Sequence, residues 1–133
     1  MPKNKINIRK VKDYWQKSSS HDYETARFLF TGRRYPECLF FCHLMIEKTL
    51  KALVVEKTKS HAPHIHQLVD LAKIAKIDLN EKQEDYLTEI TEFNIAARYD
   101  AYKFDFYKRC SKSYTEKYFK ISKNLYLWLK KQL

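Results

Sequence analysis

"PECLFFCHLMIEKTLKALVVEK", residues 36–57, is the stretch on which the fold turns. Leu39, Cys42, Ile46, Leu50 and Leu53 fall on one line at helical spacing, and Phe41, Met45 and Ala52 flank it. The segment is therefore apolar over most of its circumference. Such a helix is central, covered by neighbours on more than one side or by a second subunit. Pro36 suits its first turn, where a missing N–H is no loss. Within it, Glu47 and Lys51 are spaced i, i+4, a pair contributing about 0.2–0.5 kcal/mol on an exposed face. His43, one residue from the apolar line, reads as a satisfied core or interface histidine, with a groove position as the alternative.

The rest of the chain supplies the cover. Val11, Trp15, Ser18, Ser19, Asp22, Ala26 and Leu29 make one stripe of a helix running from about Lys10 to Phe30. Asp22 sits in the middle of that stripe, where a charge needs a partner. Gly32 ends this helix. After "HAPHIH", a short helix spans about residues 65–75, with Leu68, Leu71, Ala72 and Ala75 on its apolar side. Asn80 with Gln83 has the spacing of a capping box for a fourth helix. Tyr86, Leu87, Ile90, Phe93 and Ala97 are the buried side of that helix. Residues 102–107 alternate aromatic and polar. A lone strand would have nothing to pair with, so the segment reads as a loop lying on the bundle. Ser113 with Glu116 has capping-box spacing for the last helix, whose stripe is Tyr114, Tyr118, Ile121, Leu125, Trp128 and Leu129.

One glycine and three prolines in 133 residues leave few breaks. The expected fold is all-α: a five-helix antiparallel, up-and-down bundle of four long helices and one short one. A chain of this length buries roughly two thirds of its unfolded surface, enough for one core. We expect a basic segment at residues 1–11 and a single helical domain over 12–133.

The formal charge of +10 is unevenly placed. Lys3, Lys5, Arg9, Lys10 and Lys12 open the chain without an acid, and residues 101–133 hold nine Lys and Arg against Asp105 and Glu116. Basic ends around a slightly acidic middle suit an anionic partner, nucleic acid first, or simply a solvated surface. Tyr102, Phe104, Phe106 and Tyr107 stand among charges and are candidates for stacking on bases. Cys38, Cys42 and Cys110 include no CxxC, which fits free thiols in a reducing, cytoplasmic setting. No apolar run is long enough for a signal peptide core or a membrane span. His61, His64 and His66 lack an evident fourth ligand, so no metal or other cofactor is expected. The absence of a glycine-rich phosphate loop argues against P-loop and dinucleotide chemistry.

Four segments in order, "LFFCHLMIEKTLKAL", "HIHQLVDLA", "AARYD" and "SYTEKY", resemble the HEPN domain family. That family carries an "EKALKAL"-like run in a central helix, a "THDLVEL"-like start of a short helix, and "ARYP" at the end of the fourth helix. The matching residues are Glu47, Lys48, Leu50, Lys51, Ala52 and Leu53; His66, Leu68, Val69 and Leu71; and Ala97, Arg98 and Tyr99. Asp22 falls where the family's first helix carries an acidic residue. The resemblance covers about residues 12–131. It implies a helical bundle that usually dimerises, here through the central apolar helices. It also implies one of two roles. Many such proteins are the toxin half of a toxin–antitoxin pair, encoded beside a minimal nucleotidyltransferase. Others are metal-independent ribonucleases, with a histidine four to six residues after the arginine.

This chain departs from the second pattern. Arg98 is followed by Tyr99, Asp100, Ala101, Tyr102, Lys103 and Phe104, and no histidine occurs after His66. Arginine holds a phosphate well but is always protonated and is a poor base. The leading expectation is therefore a nucleotide- or RNA-binding protein, partner of a nucleotidyltransferase antitoxin and itself a homodimer. The alternatives are a ribonuclease with a modified site, in which Arg98 and Lys103 are the candidate catalytic residues, and a non-catalytic scaffold. The resemblance gives the ligand groove Arg98, Tyr99, Asn94, Tyr102, Asp22, Glu47 and Lys51. A second reading makes Arg98 a clasp paired with Asp22 or Glu47.

Overall fold

The computed structural model describes residues 6–98 and 100–133, and the side chains of residues 97 and 100–102 lie outside that description. The described residues form six helices and no strand: α1 Ile8–Thr31, α2 Tyr35–Thr58, α3 Leu68–Ile74, α4 Glu81–Arg98, α5 Asp100–Arg109 and α6 Lys112–Lys130.

Local chemistry sets the boundaries. Asn7 Oδ1 accepts from the Lys10 N–H at 3.0 Å, so α1 begins earlier than its apolar stripe suggests. Gly32 is the C-cap, but its φ is −79° and it is Arg33 that takes the left-handed position at φ 61°. The Arg33 N–H then bonds Phe30 O at 3.1 Å and the Arg34 N–H bonds Leu29 O at 2.8 Å, the paired bonds of a Schellman turn. The chain reverses there, and Pro36 enters the first turn of α2. Asn80 and Gln83 cap α4 reciprocally: the Gln83 N–H bonds Asn80 Oδ1 at 2.8 Å, and the Asn80 N–H bonds Gln83 Oε1 at 2.9 Å.

The centre of the bundle is α2, packed against α1, α3, α4 and α6. Its long interface with α1 is made close by small hydroxyl residues. Ser19 and Thr49 lie 2.6 Å apart and approach the Met45 carbonyl at 2.7 and 2.9 Å. On the other side Leu39, Ile46, Leu50, Leu68, Leu71, Ile90, Phe93, Leu125 and Leu129 are buried in one continuous core. Thr115 and Ser122 are buried on α6, while Lys117, Lys120, Lys123, Lys130 and Lys131 stay exposed. Most of the apolar circumference of α2 is covered within the chain itself, with Phe40, Phe41 and Leu44 half-buried along one side. No described helix is long and apolar enough to cross a membrane.

Two expectations need correction. Residues 100–109 are a helix, not a loop, so the bundle has six helices. Phe106 and Cys110, four apart, are buried, while Phe104 is 68% exposed. The alternation of aromatics hid this, because a short helix needs only one buried stripe and leaves its other aromatics outside. Lys108 and Arg109 in the last turn complement its dipole. The cap of α6 is Ser111, whose Oγ accepts from the Tyr114 N–H at 3.2 Å, rather than the Ser113–Glu116 box.

Candidate functional site

Three polar residues stand one turn apart on α2: His43, Glu47 and Lys51 are all buried. Each is engaged by the others or by the segment leading into α3. Lys51 Nζ lies 3.0 Å from Glu47 Oε2, and its ammonium sits 5.2 Å from the Trp15 ring centre. His66 Nδ1 lies 2.9 Å from Glu47 Oε1. His43 Nε2 lies 3.1 Å from the carbonyl of His66 and 3.6 Å from Glu47 Oε1. A backbone carbonyl only accepts, so His43 donates from Nε2 and its Nδ1 carries no proton. That nitrogen is buried without a partner, consistent with a neutral ring. Burial depresses the His43 pKa, partly opposed by the Glu47 charge, and the Arg98 charge depresses it further. For Glu47, burial acts to raise the pKa. The hydrogen bond from His66, the charges of its neighbours and Lys51 outweigh it and hold the carboxyl below its ordinary value. Glu47 is therefore an acceptor, and His66 donates to it from Nδ1.

His66 and His64 precede α3, and the same segment forms one wall of a cleft of about 430 Å³. The opposite wall is α4, contributing Thr91, Asn94 and Arg98. Arg98 is exposed in the last turn of α4, and among the described residues it makes no ion pair. Asn94 is 4% exposed, and among the described residues its Oδ1 has no hydrogen-bond partner. Thr91 Oγ1 accepts from the Leu68 N–H at 3.2 Å, tying α3 to α4 below the cleft. Asp70, exposed, sets one acid against these bases.

The structure thus brings Arg98 and Asn94 together and joins Glu47 and Lys51 to their cleft through His66. It does not bring Asp22 there. Asp22 is buried with Lys48 Nζ 2.7 Å from its Oδ2, a close ion pair whose angles are not those of a hydrogen bond. With Asp22 taken by Lys48 and Glu47 by Lys51 and His66, the clasp reading of Arg98 loses both its partners. Lys103 is exposed on α5, its ammonium 5.9 Å from the Tyr107 ring centre. Tyr99 and the side chain of Tyr102 lie outside the described residues. No group of three His, Cys, Asp or Glu among the described residues has metal-ligand geometry. The three cysteines are free and buried; burial lifts the Cys42 thiol and pushes Cys110 up to about 12.

Sequence reasoning looked for a histidine after Arg98 and overlooked the two that space puts beside it. The available signal was the helical spacing of His43, Glu47 and Lys51, a polar line on the most buried helix, which requires partners from another segment.

Comparison with solved structures aligns the chain to TT1696 from Thermus thermophilus with a TM-score of 0.76. The alignment spans 92% of this chain and 98% of that one at 15% identity, a likeness of fold. Comparison with curated proteins gives no match. The HEPN domain profile matches residues 12–132, nearly the whole of the described bundle, and the chain belongs to the HEPN domain family.

Proposed function

We propose that this HEPN-domain protein binds the phosphate of a nucleotide or of RNA in the cleft between the His64–Gln67 segment and α4. The observation that carries the reading is the pairing there of an exposed guanidinium with a buried, unsatisfied amide oxygen, Arg98 above Asn94. A guanidinium holds a phosphate bidentately. The Asn94 oxygen is an acceptor, which a phosphate cannot satisfy but a ribose hydroxyl or base N–H can. Both halves of a nucleotide thus have a complement. The exposed lysines of α6 and the basic start of the chain add a salt-dependent attraction for a longer strand.

On the strength of family membership, the protein is the toxin-side partner of a nucleotidyltransferase antitoxin, acting as a homodimer in the cytoplasm.

The test is titration of a fluorescent nucleotide and a short single-stranded RNA into the protein at low and moderate salt, beside Arg98→Ala. Loss of a charge-assisted bidentate contact weakens binding by roughly tenfold to a hundredfold. Arg98 is exposed, so the variant keeps its fold. Equal binding by both proteins refutes the cleft as the site. A stable complex with a neighbouring gene product, formed by a protein that binds neither probe, establishes a scaffold instead.

A further inference from the structure

We infer that a second cavity, between α4 and α5, binds a free α-amino acid with an apolar side chain. The cavity has a volume of about 390 Å³ and is lined by Glu92, Ile95, Ala96, Asp105, Phe106 and Arg109. It shares Ile95 with the cleft of Arg98, but the inference does not depend on what that cleft binds.

The lining carries both signs of charge over an apolar floor. Phe106 and Ala96 are buried and Ile95 is 39% exposed, so the base of the cavity is hydrocarbon. Glu92 comes from α4, Asp105 and Arg109 come from α5, and all three are exposed. Asp105 and Arg109 have the i, i+4 spacing at which opposite charges on a helix pair. Elsewhere the chain uses short helical spacings for this: Lys17 meets Asp13 at 2.9 Å, and Arg27 meets Glu24 at 3.1 Å. Asp105 and Arg109 do not pair, and among the described residues neither they nor Glu92 form an ion pair. Aromatic faces hold Arg109 instead. Its Cζ lies 5.7 Å from the Phe106 ring centre and 5.8 Å from that of Tyr114, whose hydroxyl donates to Glu89 at 2.7 Å. The guanidinium is thus positioned by packing, and its donors are not spent on a carboxylate.

A ligand that completes this cavity carries an anion, a cation and an apolar body. A carboxylate takes the guanidinium bidentately. An ammonium takes Glu92 and Asp105, which reach the cavity from different helices. The hydrocarbon floor takes the side chain. A free α-amino acid joins these three groups at one carbon. A phosphate ligand is disfavoured, because it meets two acids for one base. A simple carboxylate leaves both acids unmatched, and a simple amine leaves the arginine unmatched.

The experiment titrates the full isotope-labelled chain with L-leucine and L-phenylalanine, following backbone amide shifts by NMR. Saturable shifts centred on α4 and α5 are expected, with Kd of about 0.1–1 mM, the weak range suited to a small ligand in an open site. N-acetyl-L-leucine removes the ammonium and L-leucinamide removes the carboxylate. Each should bind more weakly than leucine by roughly tenfold or more. Arg109→Gln should weaken leucine by a similar factor. The double variant Glu92→Gln with Asp105→Asn should weaken leucine and not N-acetyl-L-leucine. Thermal melting checks each fold. If Arg109→Gln does not fold, the two modified ligands decide the question on the native chain. Absence of saturable shifts with both amino acids overturns the inference. Leucinamide binding as tightly as leucine also overturns it, in favour of an amine site. N-acetyl-L-leucine binding as tightly does so in favour of a carboxylate site, and undiminished binding by folded Arg109→Gln removes the cavity as the location.

Discussion

Replacing Glu47 by leucine keeps the volume of the side chain and removes the one carboxylate that Lys51 meets inside the bundle. In the native chain the Lys51 ammonium is almost fully buried, 3.0 Å from Glu47 and otherwise faced by the Trp15 ring. Without Glu47 the charge is left uncompensated, a loss of about 3–5 kcal/mol for a buried pair broken from one side. Neutralising the lysine sets a ceiling: deprotonating an ordinary lysine at pH 7 takes about 4.6 kcal/mol, and about 1.9 kcal/mol at pH 9. The predicted destabilisation is therefore about 3–4.5 kcal/mol at pH 7, a fall in Tm of roughly 10–20 °C for a domain of this size. It shrinks towards about 2 kcal/mol at pH 9. Lys51→Met alone leaves Glu47 its hydrogen bond from His66 and costs about 1–2 kcal/mol. The double variant replaces the pair by apolar groups, and the exposed edge of His66 turns to water, so it lies within about 2 kcal/mol of the native protein. Urea unfolding of the four proteins at both pH values gives the cycle. A coupling of about 2 kcal/mol or more, reduced at pH 9, is expected. Additive single effects, or a Glu47→Leu loss independent of pH, would refute the claim that an ion pair braces this helix.

Acid weakens the fold from two groups acting in one direction. His43 has a depressed folded pKa, so its contribution is full above the ordinary value of 6.5 and drains as pH falls through the folded pKa. The depressed Glu47 carboxyl adds a second loss below its ordinary 4.5. Urea midpoints from pH 8 to pH 3 should decline in those two windows, and His43→Gln should flatten the first. Arg33→Gly relieves a left-handed residue and raises stability by about 0.5–1 kcal/mol, read as an increase in urea midpoint at constant slope. Phe106→Ala costs about 3–5 kcal/mol, while Phe104→Ala stays within about 0.5 kcal/mol in the same denaturation. The reverse order would contradict the face that α5 buries.

The helical class was legible because α2 is apolar all round and the chain has few breakers. Caps written in side-chain chemistry, such as Asn80 with Gln83, were equally readable. The Arg33 turn was not, since nothing in an arginine marks a left-handed position and the adjacent Gly32 drew the assignment. α5 was missed because its one buried stripe, Phe106 and Cys110, is shorter than the aromatic alternation laid over it. At the candidate site, Arg98 and Asn94 were readable from their i, i+4 spacing on one element. His64 and His66 were not, because their approach to Arg98 depends on how α3 packs against α4, which no local pattern encodes. Asp22 was placed in the groove by its position in the family pattern, and the registry of α1 on α2 gives it Lys48 instead.

The placement of the polar line on α2 argues for selection beyond stability. A bundle of this size would be no weaker with leucine, methionine or alanine at positions 43, 47 and 51, since an apolar trio of like volume often matches or exceeds a buried ionic one. Yet the chain puts two ionisable rings, a carboxylate and an ammonium on or against its most buried helix, and leaves His43 Nδ1 and Asn94 Oδ1 without partners. His43 and Glu47 meet the segment that carries His66, while the Lys51 ammonium lies between Glu47 and the Trp15 ring of α1. The depressed pKa of His43 favours its neutral ring, and that of Glu47 deepens the preference for its carboxylate. Departures from a simple core, gathered on one buried helix, are expected where function rather than folding sets the residues.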